Sequence, residues 1–67
     1  MKWYNRDRTI MINLDYVRSY IFNQQVHHTE EVKDGTKMFY EDCLNLNYNT
    51  ITLWKDEARE VFRLLSQ

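Results

Sequence analysis

Arg18 stands between Tyr16 and Tyr20. A guanidinium flanked by two phenol rings can grip a phosphate or carboxylate while the rings stack on a base or ribose. Arg6 and Arg8 lie earlier in the chain and can join it, and Trp54 adds a flat stacking surface. The ligand-binding set read from the sequence is therefore Arg18, Tyr16, Tyr20, Trp54, Arg8 and Arg6. The plainer role for Arg18 is to lie over its aromatic neighbours with its charged head in water. Other residue types carry less. His27-His28 with Glu30, Glu31 and Cys43 suggest a metal, but adjacent histidines on an extended segment point to opposite sides. The helical i, i+4 histidine pattern is missing too. A solvated polar loop and no metal are expected there. Cys43 with a histidine could form a nucleophile pair, yet a lone cysteine within a strand behaves more simply as a small buried hydrophobe. One glycine, Gly35, excludes a glycine-rich phosphate cradle. No catalytic residue and no cofactor are expected.

These side chains need a scaffold, and the chain has 67 residues to build it. That length suits a single domain spanning residues 1–67, burying about 60 % of its unfolded surface. One cysteine precludes an internal disulfide. Nine basic residues face ten acidic ones, a balance that argues against a phosphate-coating surface, so nucleic acid is not the expected partner. No apolar run approaches the roughly 20 residues of a membrane span. The first residues lack the core of a signal peptide, so a cytoplasmic location is expected. Aromatic residues make up 15 % and alanine occurs once, at Ala58. Flat and branched side chains fit a pleated surface. With no proline, turns fall to Asn and Asp, which tolerate left-handed backbone.

Alternation places four strands. Thr9–Leu14 puts Ile10, Ile12 and Leu14 on one face and Met11 and Asn13 on the other. Asp15 marks a corner, and Tyr16–Phe22 reads as a second strand, with Val17, Ser19 and Ile21 on one face and Tyr16, Arg18, Tyr20 and Phe22 on the other. From Asn23 to Lys37 the pattern weakens: the second strand fades near Val26 and is followed by a loop or an irregular hairpin end, with Asp34-Gly35 as the turn signal. Met38–Leu46 is a third strand, where Asp42 spoils the apolar face and suggests a bulge near Asp42 and Cys43. Asn47-Tyr48-Asn49 makes a turn, and Thr50–Trp54 is a fourth strand. The period then changes. Ala58, Val61, Phe62 and Leu65 share one helical face, predicting a helix over about Asp56–Ser66 with Asp56 as its cap. The expected fold is α+β: a small antiparallel meander of about four strands packed by one C-terminal helix.

The helix can cover one sheet face, supplied by Ile10, Ile12, Leu14, Val17, Ile21, Ile51 and Leu53. The other still holds Met11, Tyr16, Tyr20, Phe22 and Trp54. Large uncovered apolar patches are rare on monomers, so a homo-oligomer meeting through that aromatic face is expected.

Ile12-Asn13-Leu14-Asp15-Tyr16-Val17-Arg18-Ser19 resembles the I-N-L-D-x-V-x-S opening of short bacterial and phage proteins of this size. Thr50-Ile51-Thr52-Leu53 and the Glu57-Ala58 helix stand where those chains carry an I-T-L strand and an acidic helix. The resemblance spans most of the chain except Val26 to Lys37, and its motifs are mostly structural. It implies a small sheet-plus-helix fold, often oligomeric, without assigned enzymatic activity, within a bacterial host. Some phage proteins of this size sequester a host immune nucleotide signal or block a host enzyme. The functional expectation is a non-catalytic homo-oligomer that holds a small nucleotide-like ligand at a subunit boundary. The alternative is an interaction module that inhibits a host enzyme.

Overall fold

Branched and aromatic runs pair as antiparallel strands, and the Ala58–Leu65 stripe closes over them as a helix. The computed structural model describes residues 1–67. In chain order the elements are β1 (Lys2–Tyr4), β2 (Met11–Asn13), a 3-10 turn (Leu14–Tyr16), β3 (Tyr20–Val32), β4 (Gly35–Leu46), β5 (Ile51–Trp54) and α1 (Lys55–Leu65). β1 and β2 form one antiparallel pair; β3, β4 and β5 form a three-stranded antiparallel sheet with β4 in the centre. The architecture is α+β, with five strands in two sheets rather than four in one. No helix is long and apolar enough to cross a membrane.

Register fixes the covered face. Tyr20 lies opposite Leu46, which lies opposite Ile51; Phe22 lies opposite Leu44, which lies opposite Leu53. Directly opposed residues share a face, and these six look toward α1. Leu44, Leu46, Leu53, Ala58 and Val61 are buried there, joined by Trp3 and Ile12 from the N-terminal pair. The parity expected for the second strand is therefore inverted. Phe22, assigned to the uncovered face, stacks on Phe62 with ring centres 4.3 Å apart, and Tyr20 meets the same ring edge-on at 6.0 Å. Ile21, expected in the core, is 60 % exposed, and Ile10 is exposed as well. The cause is the segment before the strand. Leu14–Tyr16 curls into a 3-10 turn where continuous strand was expected, so the count of alternating residues restarts at Tyr20.

Asn47 holds this entry in place. Its side-chain oxygen accepts from the backbone N–H groups of Arg18 (2.7 Å) and Ser19 (3.3 Å), and its amide donates to the Tyr16 carbonyl. Asn47, Tyr48 and Asn49 all adopt positive φ, a conformation that asparagine tolerates more readily than other side chains. The turn falls where the sequence puts it.

Of the loop and the irregular hairpin end expected after Val26, the structure has the hairpin, with both strands running out to its tip. β3 and β4 stay paired to Val32 and Gly35, around a two-residue connection of Lys33 and Asp34. Gly35 sits at φ 143°, where a side chain would be strained. Alternation fades because neither face of this outer stretch is buried, and period-two patterning records burial. The bulge lies at His27, between Val26 and His28, not near Asp42. It also corrects the histidine geometry. The two Nδ1 atoms are 3.4 Å apart, since a bulge breaks the alternation that would part them.

Asp42 has a different explanation. It extends the covered face beyond Leu44, and Arg59 of α1 donates to it at 2.6 Å while also pairing with Asp56. Asp56 thus engages Arg59, and the helix start at Trp54 has no side-chain cap. The Arg59 bond, then the one from Gln24 at 2.9 Å, hold the Asp42 carboxyl below its ordinary range. A depressed native pKa contributes stability that is complete above the unfolded value and is lost as pH falls through the native one. Asp42→Asn is therefore expected to flatten the fall in Tm below about pH 4. An acid limb as steep as wild type would show that other carboxylates control it.

Candidate binding groove

β1 ends at Tyr4, and the following loop is organised by Asn5. The Asn5 side-chain oxygen accepts from the Ile10 N–H at 2.8 Å, its amide donates to Thr9 at 2.9 Å, and its backbone closes on Ile10 and Arg8. Asn5 is the one buried polar residue, with both polar ends of its side chain satisfied. Thr9 in turn donates to Asp7, and this bond lowers the Asp7 pKa. The loop therefore has a fixed path, and that path presents Arg6.

Arg6 borders an open groove of about 580 Å³ between the end of β1 and the first turns of α1. Ligand sites are commonly about 300–1,000 Å³. Trp54 ends β5 and opens α1, so its indole stands at the corner of the groove beside Trp3 and Tyr4. His27 reaches it from the bulge and meets Trp54 edge-on, with ring centres 4.8 Å apart. Lys55, Asp56, Glu57 and Glu60 complete the α1 side, with Asp56 engaged by Arg59. Arg6, Lys55, Glu57 and Glu60 form no ion pair, so their charges are free to meet a ligand. Lys55 sits at φ 57°, a left-handed step that marks the corner from strand to helix.

The six residues expected to bind together fall into three places. Arg6 and Trp54 share the groove. Arg8 lies outside it, with its guanidinium 4.9 Å from the centre of the Tyr4 ring. Tyr16, 74 % exposed in the 3-10 turn, Arg18 in the following loop, and Tyr20 against Phe62 lie elsewhere. The structure does not bring Arg18 to Trp54. Sequence reasoning missed the other seven lining residues: Trp3, Tyr4, His27, Lys55, Asp56, Glu57 and Glu60. The two glutamates read as an ordinary outer helix face, and nothing local signals that the face borders a groove. Cys43 is buried beside Trp54 in the sheet register, and burial pushes its thiol pKa up, a poor setting for a nucleophile. No group of three metal-ligating side chains is present. No protein-family model, curated protein or solved structure matches the chain, so its function is argued from geometry.

Proposed function

We propose that this chain is a non-catalytic binding protein that works as a homo-oligomer and holds a small nucleotide-like ligand in the groove beside Trp54. The observation that carries the reading is the convergence of a half-buried indole with unpaired charges of both signs around one concavity. A base stacks on Trp54. Arg6 and Lys55 meet the phosphate or another anionic end. Glu57 and Glu60 accept hydrogen bonds from ring N–H and amino groups, which a plain inorganic anion does not offer. The mixed charge also argues against long nucleic acid, whose affinity rests on many cation–phosphate contacts. Oligomer formation is supported by apolar side chains left in water on the outer hairpin. That projecting hairpin equally supports the second reading, a module that docks on a larger protein.

Titration of tryptophan fluorescence with ribonucleoside mono- and diphosphates tests the ligand. Saturable quenching is expected, with weaker binding of ribose phosphate, which lacks the base. Absence of any change up to millimolar nucleotide would remove the ligand reading and leave the docking module.

A further inference from the structure

His27 and His28 are neighbours in sequence, and on a regular strand their rings would point to opposite faces. The bulge between Val26 and His28 removes that alternation. The two Nδ1 atoms come within 3.4 Å of each other. That is long for a hydrogen bond from a ring N–H, which usually spans about 2.7–3.2 Å. Neither histidine pairs with a carboxylate.

Each ring is also held from outside the pair. His28 stacks on Phe39 of β4, 6° from parallel with ring centres 4.4 Å apart. His27 meets Trp54, at the end of β5, edge-on at 4.8 Å. The two imidazoles therefore stand at 88° to one another, an angle set by two strands besides their own. Two rings fixed by different neighbours, yet turned nitrogen to nitrogen, make a fork that a ligand does not have to assemble. Both histidines are exposed, so an ion reaches them without opening the fold.

The spacing selects the ion. Zinc binds imidazole nitrogen at about 2.0–2.1 Å, and at that bond length nitrogens 3.4 Å apart subtend about 110° at the metal, close to the tetrahedral angle. A square-planar ion wants about 90°, which at the same bond length needs nitrogens about 2.9 Å apart. Calcium and magnesium take oxygen ligands, which the fork does not offer. No third ligating side chain joins the pair, so water supplies the remaining ligands and the ion exchanges readily.

We infer that the Nδ1 atoms of His27 and His28 chelate one tetrahedral divalent cation of the zinc type. Both rings then carry their proton on Nε2, which leaves each Nδ1 lone pair for the metal. The site goes beyond the nucleotide reading: it uses His28, which does not line the groove, and it needs no nucleotide.

Calorimetric titration of the full chain with zinc chloride, without nucleotide, tests it on wild type, His27→Gln and His28→Gln. Circular dichroism confirms folding. Wild type is expected to take up one zinc per chain. Each substitution should weaken binding at least tenfold, because the second nitrogen of a rigid fork binds at high effective concentration. Ring 15N spectra of wild type give a second readout that needs no variant, with zinc expected to shift Nδ1 of both imidazoles and not Nε2. Lack of saturation at millimolar zinc would overturn the site. So would unchanged affinity in the two variants, or zinc shifts confined to Nε2. Weakening by only one substitution would overturn the shared chelate and leave a single-histidine contact.

Discussion

Leu44→Ala is expected to unfold the chain at ambient temperature. Leu44 is fully buried in the central strand, between Phe22 on β3 and Leu53 on β5 and beneath α1. Truncating such a leucine costs about 2–5 kcal/mol in lost transfer energy and residual cavity. A core of this size supplies roughly 3–5 kcal/mol altogether. With nine of 67 residues buried, little slack exists to refill the hole. Ile21→Ala is the contrasting variant. Alternation read without the structure puts Ile21 in the same core, yet it is 60 % exposed, so its loss should stay within about 0.5 kcal/mol. Urea denaturation of both variants decides the parity of β3. A stable Leu44→Ala beside a crippled Ile21→Ala would show the register reversed.

Trp54→Ala should weaken nucleotide binding by about 5- to 150-fold, in line with about 1–3 kcal/mol for one stacked base. Because Trp54 also borders Cys43 and His27, Trp54→Phe is the companion variant. It keeps a flat ring and should retain most of the affinity. Arg6→Ala should weaken phosphate-bearing ligands more than the free nucleoside, since only the former offers an anionic end. Arg18→Ala then separates the two possible sites. Arg18 does not line the groove, so its loss should leave affinity unchanged. Loss of binding with Arg18→Ala, together with indifference to Trp54→Ala, would place the ligand by Tyr16 and Tyr20 instead.

Both predictions turn on residues that the sequence identifies by type but not by position. Leu44, Leu53 and Trp54 stand in clear strand patterns, and the Ala58–Leu65 period marks its helix to within one residue at each end. Those signals survive because each of these segments is half buried, and burial on one side imposes a period. β1 escapes notice because it has three residues, too few to establish any period. Residues 23–37 are legible only as a loop or an irregular hairpin end around Asp34-Gly35, for the opposite reason: a ribbon exposed on both faces has no apolar side to mark. The ligand set suffers in the same way. Tyr16, Arg18 and Tyr20 look like one cluster only if the strand runs straight through them, and the 3-10 turn interrupts it.

By itself, then, the order of side chains determined an antiparallel α+β architecture, the Asn47–Asn49 turn, the closing helix, and the lack of a glycine-rich phosphate loop. These are local matters, settled by backbone preference and by periods of two and 3.6 residues. Tertiary structure alone decided that Phe22 and Tyr20 go under the helix, that Asp42 meets Arg59, that Arg6 and Trp54 border one groove, and that the Met38–Tyr40 face is left in water. The first three join residues far apart in the chain, and all depend on a strand register that a single curled turn can shift by one. A one-residue shift exchanges the two faces of a sheet, and no local pattern records on which side the turn will leave them.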